Sequence, residues 1–206
     1  MMKIAIAIPT AGMVPWAFSY SLVNLISYMW AHADDLNVGV GVRSAEGSNW
    51  IENRENLVAR ALAEGFSHIC FIDDDMVFAP DVLARLIRHG KDIVVTNYVV
   101  KEWPPTTFTA RGLDGERVRT DDKSTGLQEV LGSGFGFSLI NLDVFKALQQ
   151  PWFLPMWNEQ TKEYSTEDFP FFARARAAGY PVWLDHDASR GLTHLGRKQW
   201  HWREVE

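Results

Sequence analysis

The sequence predicts an α/β protein whose sheet is built by parallel pairing and covered by helices on both faces. Three observations lead there. Strand-like and helix-like segments alternate through residues 1–101, and strand–helix–strand order implies right-handed crossovers between parallel strands. Hydrophobic residues make up 47% of the chain and charged residues 22%, the balance of an ordinary globular protein. That balance excludes a disordered tail or a collagen-like repeat, and the length, 206 residues, is ample for a substantial core.

Lys3–Ile8 is a short apolar run, broken by Pro9-Thr10-Ala11-Gly12, and reads as the first strand. From Trp16 to Trp30, Phe18, Leu22, Leu25, Ile26 and Met29 recur at helical spacing. Leu36–Val42 is a second strand, and Trp50–Glu64 a helix with Ile51, Leu57, Val58, Ala61 and Leu62 on one face. His68–Ile72 is a third strand, Pro80–His89 a short helix with its proline at a tolerated early position, and Ile93–Val99 a fourth strand. The pattern changes after Lys101. Trp103-Pro104-Pro105 is a rigid break, Thr106–Ala110 a possible short strand, and polar Arg111–Gly126 a mobile loop or hairpin tip. Gln128–Leu131 and Gly136–Asn141 flank the cluster Gly132-Ser133-Gly134, and Leu142–Leu148 is a short helix. A Trp- and Pro-rich loop follows to Trp157. Ser165–Gly179 is the clearest late helix, opening on Ser165-x-x-Asp168 as a capping box variant, and Val182–Asp185 is a last strand. One domain in two halves, 1–101 and 102–206, is the expected organisation.

Composition narrows the function. Twenty Lys and Arg against twenty-six Asp and Glu give a net charge of −6, so a broad basic face for nucleic acid is not expected. The one cysteine, Cys70, sits in an apolar run; it excludes a disulfide framework and a four-cysteine zinc site and reads as a buried thiol. Met1–Ile8 is too short for a secretory leader, and no apolar stretch reaches the roughly 18–20 residues of a membrane span. The expected location is cytoplasmic. Nine tryptophans exceed the needs of such a core; Trp152, Trp157, Trp183, Trp200 and Trp202 crowd the last third, as core or as platforms for sugar rings or bases.

Four segments carry chemistry. In Phe71-Ile72-Asp73-Asp74-Asp75-Met76, three adjacent carboxylates follow a buried strand, at the edge where open α/β sheets bind ligands. Their mutual repulsion is relieved by a divalent cation with hard oxygen ligands, and strand alternation would aim Asp73 and Asp75 at one metal; a solvated turn is the plainer alternative. Thr166-Glu167-Asp168 opens a helix, where carboxylates gain about 0.3–1 kcal/mol from the dipole, or where one of them serves as a general base. Gly132-Ser133-Gly134-Phe135-Gly136 permits close backbone approach or forms a hairpin turn, and lacks the spacing of a Walker loop. His194 suits manganese better than magnesium or calcium, and Arg197, Lys198, His201 and Arg203 beyond it could close over a diphosphate or form a solvated basic end.

Taken in order, these segments resemble the core of the GT-A glycosyltransferases: an Asp-x-Asp after a central strand, a glycine-rich loop, an x-Glu-Asp at a helix start and a late histidine. Ile8-Pro9-Thr10 resembles that family's first strand and nucleotide-contacting turn. Asn53-Arg54-Glu55-Asn56-Leu57 resembles its Arg-Asn segment, departing at Glu55 where Asn is common. The resemblance spans essentially the whole chain and implies a GT-A-like, Rossmann-type sheet with a nucleotide-binding first half and a mixed, acceptor-side second half. It implies Asp75 as a direct ligand of Mn2+ or Mg2+, Asp73 on the metal or the ribose, and His194 as a further ligand. Pro9, Thr10 and Arg54 would lie near a base that is often uracil, with Asp74 and Lys101 also on the donor side. Ser133 and Gly134 would line the sugar, and Asp168, with Glu167 beside it, would act as the base of an inverting enzyme. The expected reaction moves a sugar from a UDP-sugar to a hydroxyl acceptor, whether glycan, protein, lipid carrier or modified nucleic acid. Trp103, Trp152, Trp157 and the loop Arg111–Gly126 are candidate acceptor contacts. A nucleotidyltransferase would use the same carboxylates but commonly a glycine- and basic-rich first loop, and Pro9–Trp16 holds no Lys or Arg. A non-catalytic nucleotide-sugar-binding module would bind without turnover.

Overall fold

The protein is described here by a computed structural model, in which residues 1–102, 106–159, 162–196 and 199–201 are described. In chain order the elements are β1 (Met2–Thr10), α1 (Trp16–Ala31), α2 (Ala33–Leu36), β2 (Val38–Glu46), α3 (Trp50–Ala63), β3 (His68–Ile72), β4 (Met76–Phe78), α4 (Val82–Arg88) and β5 (Ile93–Val95). There follow β6 (Arg111–Gly112), β7 (Leu127–Gly132), β8 (Phe137–Asn141), α5 (Leu142–Ala147), β9 (Trp157–Asn158), β10 (Glu163–Tyr164) and α6 (Asp168–Ala177). The chain continues through β11 (Val182–Asp185), α7 (His186–Ser189), β12 (Leu192–Leu195) and β13 (Gln199–His201).

Eight strands form one sheet in the order β2-β1-β3-β8-β5-β11-β7-β6. The α/β class is as the sequence predicts, with β2, β1 and β3 parallel and β5 parallel to β11. The sheet is mixed rather than parallel throughout, because β8 inserts antiparallel between β3 and β5 and β7 pairs antiparallel with β11. Strands β7 and β8 are therefore not neighbours. The glycine cluster between them is a crossover over two intervening strands, not the turn of a hairpin.

Alternation along the central strands builds a core on each face. Ile4, Ile6 and Ile8 of β1, with Cys70 and Ile72 of β3, join Phe18, Leu25 and Met29 of α1 and Leu83 and Leu86 of α4. Ala5, Ala7, Ile69 and Phe71 face the other way, toward α3, α5 and α6 and the rings of Phe135, Phe145, Phe153, Phe171 and Phe172. Each fully buried Ile, Leu or Phe contributes about 1.5–3 kcal/mol. The Cys70 thiol is wholly buried, which pushes its pKa up.

Several predicted elements shift. The first strand runs through Pro9 and Thr10, and β2 starts later and runs longer than predicted because α2 takes Leu36 and Asn37 turns left-handed (φ 52°). The predicted fourth strand ends at Val95, and Val99 makes only an isolated bridge to Phe108. Arg111–Gly112 is a short strand, and Arg111 bridges antiparallel to Arg117, so of the loop and the hairpin tip expected there the start of the segment takes the hairpin form. The late helix starts at Asp168, not Ser165. Ser165 forms no capping box, because its hydroxyl accepts instead from the Met156 amide at 2.9 Å. Strand β11 is followed by β12 and β13, which form a three-stranded sheet in which β12 lies between β4 and β13. The predicted break at Trp103-Pro104-Pro105 lies outside the described residues, as do Arg197, Lys198, Trp202, Arg203 and the side chains of Trp200 and His201.

Candidate active site

The carboxyl ends of β1 and β3 and the exit of β5 lie at one sheet edge, because Ala7 pairs with Phe71 and Ile72 and Val95 flank the start of β8. Asp73, Asp74 and Asp75 occupy a turn there, closed by the Met76 amide donating to the Asp73 carbonyl at 3.2 Å. In a turn the strand alternation no longer holds, and each carboxylate finds a different partner.

Asp73 accepts from the Arg54 guanidinium at 2.8 Å, and the same guanidinium reaches Glu167 at 3.2 Å. Arg54 comes from the interior of α3, whose N-cap Asn49 accepts from the Glu52 amide, a contact worth about 1 kcal/mol. The guanidinium is buried over the rings of Phe135 and Phe71, at 4.9 and 5.4 Å. Burial pulls its pKa down, but Asp73 and Glu167 outweigh burial and the net shift is upward. Arg54 thus ties the triple-aspartate turn to the Glu-Asp motif, and its remaining nitrogen is buried without a partner. Glu55 turns away and accepts from the Phe153 amide at 2.8 Å.

Asp74 faces Thr10 and Ala11, and burial followed by its two aspartate neighbours raises its pKa despite those hydrogen bonds. Thr10 also accepts from the Gly12 amide at 3.1 Å, and its hydrogen bond to Asp74 joins the end of β1 to the aspartate turn. Asp75 pairs through Oδ2 with Lys101. Its Oδ1 is buried with no hydrogen-bond partner and faces His194 Nε2 at 3.5 Å. Strand β12 delivers that histidine: His194 pairs with Met76, and the Leu195 amide donates to the Asp75 carbonyl at 2.7 Å. Burial pushes the Asp75 carboxyl up, but His194 and Lys101 prevail and hold it low.

His194 Nδ1 lies 2.9 Å from the Val99 carbonyl, which can only accept, so Nδ1 carries the proton. Nε2 is the atom that faces the carboxylate oxygen, and a proton or a metal ion between them satisfies both. A ring nitrogen fixed by a backbone carbonyl is the usual support of a metal-bound imidazole. Asp75 and His194 therefore fit a metal ion. Asp73 is held by Arg54, and no cluster of three such ligands is assembled among the described residues.

Asp168 is the first residue of α6, where its charge meets the positive end of the helix dipole. Burial, reinforced by Glu167, nevertheless lifts its pKa to about 6, and its Oδ1 is buried without a partner. The predicted contributors Ser133 and Gly134 are both buried. Ser133 donates to the Thr96 carbonyl at 2.8 Å and meets Thr109 at 2.9 Å, so its hydroxyl serves the frame of the site.

Two residues join the site that the sequence reading missed. Tyr98, just past β5, packs its ring 5.2 Å from that of His194 and accepts from the Gly136 amide at 2.9 Å. A Cβ on Gly134 would fall 2.1 Å from the Tyr98 hydroxyl and 3.4 Å from Asp168 Oδ2. The glycines thus make room for Tyr98, which links His194 to the surroundings of Asp168. Trp50, half exposed at the start of α3, shares a pocket of about 290 Å3 with Arg54 and the three aspartates. Its position before the Asn-Arg segment was a usable signal; nothing in sequence marked Tyr98.

Among the predicted platforms, Trp152 is buried and donates to the Phe145 carbonyl at 2.9 Å, and Trp183 lies under Lys91. Trp157 is half exposed, and with Phe169 it lines a groove of about 620 Å3 beside the start of α6.

The structure of A197 from STIV aligns with a TM-score of 0.60, covering 98% of this chain and 94% of that one at 20% identity. The fold is shared with A197. The catalytic domain of Drosophila beta1,4galactosyltransferase 7, solved with xylobiose, aligns at a TM-score of 0.48 and 16% identity, over 95% of this chain and 71% of that one. UDP-glucose pyrophosphorylase, solved with UDP-glucose, aligns at 0.46 and 12%, over 90% of each chain. No protein-family description and no curated protein sequence matches the chain. Among the described residues, no helix is long and apolar enough to cross a membrane.

Proposed function

We propose that the protein is a metal-dependent, GT-A-type glycosyltransferase that moves a sugar from a UDP-sugar to a hydroxyl acceptor with inversion. One observation carries this reading: His194 Nε2 faces the unpartnered Asp75 Oδ1 at 3.5 Å, and the same sheet edge holds a separate carboxylate, Asp168, whose pKa is raised to about 6. A sugar nucleotide has a highly charged leaving group and the acceptor hydroxyl needs a base, so these are the two groups that the reaction requires.

Asp75 and His194 would hold Mn2+ or Mg2+, which when bound stabilises charge on the departing diphosphate. Arg54 holds Asp73 and Glu167 in fixed positions beside the pocket that it shares with Trp50. Pro9, Thr10 and Trp50 border the space for the base, and Lys101 adds a positive charge at the diphosphate side. Asp168 accepts the acceptor's proton. A carboxyl titrating near 6 is ionised at neutral pH yet more basic than an ordinary aspartate, which suits that role. In this reading residues 1–101 bind the donor, and the groove along Trp157 and Phe169 receives the acceptor.

The test is to incubate the protein with UDP-, GDP-, dTDP- and CMP-sugars, with and without manganese, recording free nucleotide and calorimetric binding. Manganese-dependent binding and slow cleavage of a UDP-sugar is the expected result. Binding of nucleoside triphosphates, with every nucleotide sugar ignored, would overturn it.

A further inference from the structure

Helix α1 has no charged residue along its 16 positions. It buries Phe18, Ser21, Leu25 and Met29 against the sheet. The stripe directly opposite carries Trp16, Tyr20, Val23 and Trp30, which are 79%, 60%, 61% and 73% exposed. At 3.6 residues per turn these four fall within about 80° of arc along about 20 Å of helix. Ser27 lies on the same stripe, but its hydroxyl donates to the Val23 carbonyl of its own helix at 2.9 Å and adds no free polar group. Met13 and Val14 extend the patch beyond the helix start. A helix apolar on both faces is otherwise found inside a protein.

The area decides what kind of partner this face requires. With Trp and Tyr offering on the order of 150–250 Å2 each, the six exposed side chains present about 800 Å2. That exceeds the largest patch of a typical monomer, about 300–600 Å2, and equals the roughly 800 Å2 that each partner of a stable complex buries. Charge decides which partner. Residues 13–31 hold no Lys or Arg, the next charges are Asp34 and Asp35, and the chain carries −6 overall, so an anionic membrane would repel it. An uncharged face is where an acidic chain can meet its own copy without like-charge repulsion.

We infer that this face joins two copies of the chain, α1 against α1, about a twofold axis at Val23. The stripe is self-complementary under that operation. Trp16 and Trp30 are equidistant in sequence from Val23, so an antiparallel crossing sets Trp16 on the partner's Trp30. The same crossing brings Tyr20 within one residue, about 1.5 Å along the axis, of the partner subunit's Ser27, large against small, with the small Val23 on the axis where backbones approach most closely. This contact does not depend on the transfer reaction.

Two measurements test it. Sedimentation equilibrium over a wide dilution series should give a mass twice the 23.4 kDa of the chain. The double variant Trp16→Glu with Trp30→Glu should sediment as a monomer with an unchanged circular dichroism spectrum. In a second arm, Val23→Cys should form a disulfide-linked dimer under mild oxidation while Tyr20→Cys does not, the native Cys70 being buried. A wild-type chain that stays monomeric at every concentration would overturn the inference, as would a double variant that still dimerises. So would a monomer that floats with phosphatidylcholine vesicles through Trp16 and Trp30, or cross-linking that favours Tyr20→Cys.

Discussion

His194 Nε2 stands 3.5 Å from Asp75 Oδ1, with its other ring nitrogen committed to the Val99 carbonyl at 2.9 Å. A proton or a metal ion between these two atoms satisfies both. Calorimetric titration with Mn2+ should therefore show binding that Asp75→Ala or His194→Ala weakens by about 10–100-fold or more. If either variant bound manganese as the wild type does, the metal seat would lie elsewhere.

Lys101 occupies the other oxygen of Asp75 and must be displaced, or share that carboxylate, when a metal arrives. The pair is about one-third exposed on each side, so it is worth about 0.2–1 kcal/mol. Lys101→Met should accordingly raise Mn2+ affinity by up to about fivefold without nucleotide and, if the ammonium serves the donor as proposed, weaken nucleotide-sugar binding. Equal manganese affinity in both proteins would mean that Lys101 does not compete.

The parts of this arrangement that were legible in sequence are those written in local patterns. Buried runs such as His68–Ile72 and amphipathic segments such as Trp50–Ala63 fix their own secondary structure, and the aspartates follow at the strand end by continuity. What was not legible is set by long-range pairing. That β8 inserts between β3 and β5 depends on a choice among strands of similar composition, so the glycine cluster looked like a hairpin turn. Arg54 bridges Asp73 and Glu167, a contact made across 113 residues to Glu167 that no local signal encodes. Tyr98 was missed for the same reason, since its partners His194 and Gly136 arrive from distant segments.

Tyr98 and the glycines make a prediction of their own. Gly134→Ala drives a methyl group to 2.1 Å from the Tyr98 hydroxyl, and overpacking of this kind costs about 1–3 kcal/mol. Tyr98→Phe strips the Gly136 amide of its buried acceptor, also a cost of about 1–3 kcal/mol. The double variant should lose less stability in urea than the two single losses combined, because removing the hydroxyl makes room for the methyl. Strict additivity would mean that the two residues do not share the space.

The proposed role of Asp168 would couple catalysis to stability. A base must be ionised, so in the proposed reaction transfer should rise with pH to a plateau above about pH 6, the value to which burial lifts the Asp168 pKa. Asp168→Asn should cut transfer by about 10²–10⁴-fold while donor binding survives. The same group opposes folding at neutral pH. Its folded pKa lies above the ordinary 3.8, so the folded chain holds the proton more tightly. The resulting stabilisation is complete below about pH 4 and is lost as pH rises through about 6, where an ionised carboxylate stays buried. The rise to about 6 corresponds to about 3 kcal/mol. Asp168→Asn removes that charge, and it should make the protein more stable than wild type by up to that amount at about pH 7, the gap closing below about pH 4. Urea unfolding of both proteins across this range is the check. A variant less stable than wild type at every pH would make Asp168 a structural carboxylate and leave the hydroxyl acceptor without its base.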